Sequence, residues 1–317
     1  MTVKNIRNWI FVTGVPRSGT TFVGMNLSLP KEVDYIHEPF NPMCGIPEVK
    51  KWYRYLRTGL DTPETKHYHK LMESIFDYNF RLKNNVPTTD SFSRKISKHL
   101  VGSRGPFYLR LAKINPFHQA AIIKDPIGNL LTEYLYLEFG VKPVIIIKHP
   151  ASFIASLKRV NFWPHPEKLR DQSHLIQDYF TEEPHFLTKD WSNPVLAAAA
   201  FWRIIYKVLL TQASKYSDWQ IVTHEELSQN PIATFKSLYQ NLDLPWSTNI
   251  LRKIEQQTQG NKSAEAKQGV VQDFNRNSAD IFQLRRDSLS KEERQLIFDI
   301  VKDVALKVYS KESFAID

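Results

Sequence analysis

Short, nearly continuous apolar runs recur along the chain, most of them followed by a stretch with helical spacing. Trp9-Ile10-Phe11-Val12-Thr13-Gly14 is the first, and 20–29 continues as a helix. Residues 33–36 form a weaker run. Residues 120–123 precede an amphipathic stretch over 128–139, and 144–147 precede a helix over 151–159. The run 220–222 precedes a loop and a helix over 231–241. Apolar runs without alternation suit strands covered on both faces. The strand–helix alternation predicts a three-layer α/β/α fold with a mainly parallel central sheet. In such sheets ligands bind beyond the carboxyl ends of the strands, so candidate chemistry is sought directly after each run. Two further helices read as structural. Residues 194–216 carry four consecutive alanines (Ala197 to Ala200) and a long apolar face, as a core helix would. Residues 290–309 open with the capping box Ser290-Lys291-Glu292-Glu293. Three tracts, 41–115, 161–193 and 258–289, lack such patterning and are expected as irregular, substrate-binding or lid segments.

At 317 residues the chain can bury a full core. It is read as a single domain over 1–317 with long loops. A 42% hydrophobic and 24% charged composition excludes disorder and fibrous order. Cys44 stands alone, so no intramolecular disulfide forms. No apolar stretch is expected to span a bilayer, and the polar residues 1–7 resemble neither a signal peptide nor an anchor. A cytoplasmic protein with no membrane partner is therefore expected. The balance of 42 Lys+Arg against 33 Asp+Glu leaves a net charge of +9 and suggests an anionic partner. The basic residues are scattered among acids, and no zinc-finger, RRM or leucine-zipper pattern occurs, so nucleic acid is not expected. His165, His174 and His185 lie nine and eleven positions apart, unlike the short spacings of a metal site, and read as loop histidines. The aromatics Trp52, Tyr53, Tyr55, Phe162 and Trp163 suit either stacking on a ring or plain packing.

The strongest motif is Gly14-Val15-Pro16-Arg17-Ser18-Gly19-Thr20-Thr21, between the first strand and its helix. Glycines permit a tight turn, and successive backbone N–H groups at a helix N-terminus cradle an anion. Arg17 adds a cationic fork, and Thr20 and Thr21 add hydroxyls. The glycine spacing matches a P-loop, but Thr20 occupies the place of the Walker lysine. A nucleoside triphosphate needs charge on its terminal phosphates and a magnesium site, and this loop is poorly equipped for both. A 5′-phosphate carrying something other than a phosphoryl chain fits better.

Here the sequence resembles the sulfotransferases that use 3′-phosphoadenosine 5′-phosphosulfate (PAPS). Their phosphosulfate loop typically reads Pro-Arg/Lys-Ser-Gly-Thr-Thr after a strand, as Pro16 to Thr21 do here. A second family feature is a strand ending in Arg with a Ser eight residues on, the two holding the 3′-phosphate. Here 144–147 end in Lys148, and Ser156 lies eight positions on. Lysine keeps a point charge but loses bidentate geometry. The resemblance thus implies a weaker 3′-phosphate contact, or one supplemented by Lys158 or Arg159. The run Ile221-Val222-Thr223-His224-Glu225-Glu226-Leu227, then Asn230-Pro231 and Asp243-Leu244-Pro245-Trp246, is similar to the family's strand, Tyr-Glu-Asp-Leu, Pro, Leu-Gly-Leu-Pro run. That likeness puts His224 beside the nucleotide; a purely structural histidine is the other reading. Residues 276–286, followed by Leu289-Ser290, are similar to the loop and last helix that fold over the cofactor, which implies Arg276 as a nucleotide contact.

The resemblance implies PAPS as donor, adenosine 3′,5′-bisphosphate (PAP) as product, no metal, and an acceptor hydroxyl on a small molecule, a glycan or another carrier, with peptidyl tyrosine, lipids and amino acceptors left open. In the cytosolic small-molecule branch the base is a His two residues after a strand-end Lys. Here Lys124-Asp125-Pro126 puts proline at that position. In the tyrosylprotein branch, and in part of the glycan branch, a Glu after the second strand serves instead. Glu38, 21 residues after Arg17, stands in that place. Glu38 is accordingly the expected base, with Arg17 and Lys124 stabilising charge on the sulfuryl and bridging oxygen. His37 is the rival base, because its ordinary pKa suits the task better. Strand alternation points His37 and Glu38 in opposite directions, so one of them is expected to face the cofactor. Ala120 to Asp125 also mimics a Walker B strand, which keeps a P-loop kinase or nucleotide hydrolase as the alternative. A nucleotide-binding protein without turnover is the third reading.

Overall fold

The computed structural model describes residues 6–86, 102–258 and 288–316, together with Lys98. The five apolar runs all become strands: β1 (Asn8–Thr13), β2 (Val33–His37), β3 (Ala120–Lys124), β4 (Lys142–Ile147) and β5 (Gln220–Thr223). They form a five-stranded sheet of order β2-β3-β1-β4-β5. Every pairing is parallel, so the sheet is wholly rather than mainly parallel among the described residues.

The helices in chain order are α1 (Thr20–Leu27), α2 (Pro63–Phe76), α3 (Arg104–Ile114), α4 (Thr132–Phe139), α5 (Pro150–Val160) and α6 (Ser173–Tyr179). They continue as α7 (His185–Thr188), α8 (Pro194–Ala213), α9 (His224–Gln229), α10 (Pro231–Asn241), α11 (Thr248–Thr258) and α12 (Lys291–Ala305). The central strands bury both faces, as their unbroken apolar runs require. Ile10, Val12, Ile122, Val144 and Ile146 pack on one side with α1, α10 and α11. On the other side, Ile145 and Ile147 pack with α5, α8 and α12, while Phe11, Ile36 and Ile123 pack with α2 and α4. These are the three predicted layers.

Two of the expected irregular tracts contain helices. The tract 41–115 holds α2 and α3, and 161–193 holds α6, α7 and a 3₁₀ turn at Pro166–Leu169. Thr62 caps α2 by accepting from the Thr65 N–H, with Pro63 in the first turn. In α3, Gly105 and Pro106 fall in the first turn, where proline removes no intrahelical hydrogen bond. Residues 259–287, which make up nearly all of the third tract, lie outside the described residues.

The order of strands places a crevice between β1 and β4. The connection leaving β1 runs toward β2, and the one leaving β4 runs toward β5, so the two part at the carboxyl ends of neighbouring strands. Helix α8 braces that point from behind. The Trp202 indole donates to the Lys148 carbonyl at 2.8 Å. The Tyr206 hydroxyl donates to the Ile146 carbonyl at 2.7 Å and accepts from the Val15 N–H at 3.3 Å. By length and composition α8 does reach what a membrane crossing requires, contrary to the expectation that no stretch would. Its residues are nonetheless mostly buried, against α5, α12 and the sheet, as in a core helix.

Tyr206→Phe removes one hydroxyl that serves both β4 and the loop after β1. The buried groups left unpaired should lower stability by about 1–3 kcal/mol in urea unfolding, with the fold otherwise intact.

Candidate active site

The loop after β1 turns on two glycines. Gly14 has φ 149°, and a Cβ there would lie 2.2 Å from the Ile146 carbonyl oxygen, so the loop leaves the sheet pressed against β4. Gly19 has φ 103° and starts α1, whose first turn receives no side-chain cap. The free N-terminal N–H groups of a helix, opened by a left-handed glycine, make an anion cradle. Ser18, Thr20 and Thr21 are buried in this turn, and Arg17 itself takes a left-handed φ of 72°. A Cβ on Gly19 would lie 3.2 Å from His224 Cδ2, so the imidazole at the start of α9 rests against the cradle. The Thr223–Glu226 capping box fixes that start.

Lys148, directly after β4, is 1% exposed, and its ammonium donates to the Arg17 carbonyl at 3.3 Å. A buried cation therefore adjoins the loop after β1. Ser156 is buried on α5. Lys158, suggested as a supplementary phosphate contact, is engaged elsewhere: Glu293 of α12 holds it at 3.0 Å. Arg276 lies outside the described residues. Behind Lys148, the Glu225 carboxylate accepts from the His149 N–H at 3.3 Å and from the Tyr309 hydroxyl at 2.8 Å. Burial raises its pKa.

The second group of residues sits at the ends of β2 and β3. Strand pairing sets His37 and Val12 level with Lys124, which brings these ends beside the loop after β1. Lys124 has no exposure, and its ammonium donates to Glu38 Oε1. Asn41 Nδ2 donates to Glu38 Oε2 at 2.6 Å. The expectation that alternation would separate His37 from Glu38 is overturned. The strand ends at His37, and Glu38 turns with φ 51° while its N–H bonds the Lys124 carbonyl at 2.8 Å. That left-handed residue cancels the alternation, and His37 Nε2 lies 3.8 Å from Glu38 Oε1.

Electrostatics divides the roles. Burial disfavours the Glu38 charge, but the Lys124 ammonium and the hydrogen bonds from Lys124 and Asn41 overcome it and hold the carboxyl at about 2. Burial and the Lys124 charge push the His37 imidazole well below its ordinary 6.5, which leaves it neutral. Asp125 is fully buried; burial and the Glu38 charge push it up to about 7, against the pull of its hydrogen bonds. Its Oδ2 accepts from the Phe40 N–H at 2.6 Å, and its Oδ1 from the Ile127 and Gly128 N–H groups at 2.8 and 3.2 Å. Both oxygens are thus spent on the backbone, one of them on the turn that carries Glu38. A Walker B carboxylate turns toward bound magnesium, whereas Asp125 is fully buried and turned to the backbone. Among the described residues no cluster of His, Cys, Asp or Glu could hold a metal.

Of the sequence candidates, Arg17, Ser18, Gly19, Thr20, Thr21, Lys148 and His224 converge on the cradle, and Glu38, His37 and Lys124 on the buried pair. Asn41 and Glu225 were not anticipated. Asn41, three residues beyond Glu38 in a Pro-flanked turn, carried a weak signal; Glu225 lies within the run likened to Tyr-Glu-Asp-Leu, though no role was read for it there.

No protein-family model matches the sequence, and no curated protein matches it. Among solved structures the chain is similar to the sulfotransferase domain from the curacin biosynthetic pathway. The identity is 16%, the match covers 96% of this chain and 98% of that one, and the TM-score is 0.51. Two further similar structures are sulfotransferase STF9 from Mycobacterium avium and a retinol dehydratase in complex with retinol and PAP. The first is 13% identical over 90% of this chain and 77% of that one, with a TM-score of 0.43. The second is 14% identical over 93% and 80%, with a TM-score of 0.42. The likeness to the curacin-pathway domain establishes the fold: the chain folds as a sulfotransferase domain does.

Lys124→Met should strand a half-buried carboxylate and destabilise the protein by about 2–4 kcal/mol, and Glu38→Gln in the same chain should restore part of that loss. A double-mutant cycle in urea measures the coupling. The Glu38 pKa also fixes a sign: its stabilisation is complete above its ordinary 4.5 and is lost as pH falls toward about 2. Glu38→Gln should flatten that part of the stability–pH curve.

Proposed function

We propose that the chain is a PAPS-dependent sulfotransferase that acts on the hydroxyl of a small molecule or glycan, with Glu38 as general base. One observation carries the reading: the buried Lys124–Glu38 pair beside an uncapped phosphate cradle that has no Walker lysine. A P-loop kinase would need a lysine where Thr20 stands and a free carboxylate where Asp125 is spent. Residues 1–317 are taken as one catalytic domain, in keeping with a cytoplasmic enzyme.

The residues present fit the proposed donor. The cradle N–H groups and the Ser18, Thr20 and Thr21 hydroxyls suit the 5′-phosphosulfate, Lys148 and Ser156 suit the 3′-phosphate, and His224 suits the nucleotide. Arg276 stays assigned by resemblance alone. Bound there, the donor supplies a sulfuryl group on a phosphate leaving group. Glu38 takes the proton of the acceptor hydroxyl, while Arg17 and Lys124 offset negative charge on the transferring and bridging oxygens. A carboxyl held at about 2 is a weak base while Lys124 grips it. As the ammonium turns toward the leaving oxygen, burial dominates and Glu38 becomes a stronger base. No metal enters this scheme.

The test pairs binding with turnover. PAP should bind without magnesium and in preference to ATP, and PAPS should support transfer to a member of a hydroxyl-acceptor panel. Lys148→Ala should weaken PAP binding by about 10- to 100-fold. Glu38→Gln should lower kcat by about 10²- to 10⁴-fold and leave PAP affinity unchanged. Magnesium-dependent preference for ATP would overturn the proposal, and tight PAP binding with no transfer across the panel would favour the non-catalytic reading.

A further inference from the structure

His37 and Glu38 face the same space, so something must decide which of them receives a substrate proton. We infer that Tyr35 decides it: the Tyr35 hydroxyl donates to His37 Nδ1, keeps the imidazole proton on Nε2 facing Glu38, and so makes His37 a positioning residue rather than a base.

Tyr35 and His37 stand two apart on β2 and so share a face, with Tyr35 Oη 3.0 Å from His37 Nδ1. Both are buried. The Tyr108 ring on α3 meets the Tyr35 ring edge-on at 5.0 Å and fixes its plane. The Tyr35 hydroxyl keeps its proton, because burial and the Glu38 charge push its pKa well above 10. A buried O–H needs an acceptor, and a neutral imidazole has one lone-pair nitrogen to offer.

The second nitrogen gives the same answer. His37 Nε2 lies 3.8 Å from a Glu38 oxygen that bears negative charge. An N–H pointed there is attracted and a lone pair repelled, so this contact also favours Nε2–H. Nδ1 then accepts from Tyr35, Nε2 carries the proton, and neither nitrogen has a lone pair for a substrate proton. Doubly protonated His37 is disfavoured by burial, by Lys124 on β3 and by Arg104 at the start of α3, with Glu38 alone pulling the other way.

This has a use in the reaction proposed above, on whose assignment of Glu38 the catalytic part rests. When Lys124 turns away from Glu38, an N–H beside the carboxylate still orients it. Because that group is neutral, it lowers the basicity of Glu38 less than a second cation would.

The tautomer can be read without turnover. Long-range ¹H–¹⁵N correlation of the full-length, ¹⁵N-histidine-labelled protein at pH 7, assigned with His37→Gln, should show His37 as Nε2–H. A protonated Nδ1, or an imidazolium, in the wild type would overturn the inference. Tyr35→Phe removes the donor: the tautomer signals should shift toward a mixture, and kcat should fall about two- to tenfold with PAP affinity unchanged. An unaltered tautomer in that variant would also overturn it, and should the variant not fold, the wild-type spectrum decides. Failure of the base assignment looks different, since Glu38→Gln would then keep its kcat whatever the His37 spectrum shows.

Discussion

A lysine ammonium with no exposure to water sits at the end of β3, beside the central strand, and the site is arranged around keeping it charged. An unpaired cation there would cost several kcal/mol, so a carboxylate must reach it. Glu38 does so only because β2 stops at His37 and the next residue turns left-handed. Asp125 holds that turn through the Phe40 N–H and its own loop through Ile127 and Gly128. The half-buried Glu38 and the fully buried Asp125 both lie near Lys124, and their environments push them apart, Glu38 toward about 2 and Asp125 toward about 7. Asp125 builds the backbone turn that presents Glu38 to Lys124.

The loop after β1 follows from a different constraint, the close approach of backbone to backbone. Gly14 leaves β1 against the Ile146 carbonyl, where a side chain has no room. Tyr206 bonds the same carbonyl and the Val15 N–H, while Trp202 bonds the carbonyl of Lys148. Helix α8 thereby ties together the two strand ends that border the crevice. The cradle and the buried Lys148 are held by the core itself, so a bound anion meets an arrangement already in place.

Much of this was legible in the chain. The five strands were, because residues buried on both faces leave unbroken apolar runs. The cradle was, because a turn of that shape needs glycine at Gly14 and Gly19. Helices α2 and α3 were not. Thr62-Pro63 is a local start signal for α2 inside an otherwise unpatterned tract, and in α3 Gly105 and Pro106 look like breakers although the first turn tolerates them. Alternation would set His37 and Glu38 on opposite sides, but it holds only while the strand continues, and β2 ends at His37.

The sequence by itself determined the layers of the fold, the parallel sheet and the place of the glycine turn after β1, since each depends on periodicity or backbone freedom within a few neighbouring residues. Only the tertiary structure decided which side Glu38 faces, that Lys124 is its partner, that Asp125 is occupied and that Lys158 belongs to Glu293. Those pairings join residues up to 135 positions apart. Their energies depend on burial and on the other charges present, and neither exists until the chain has folded.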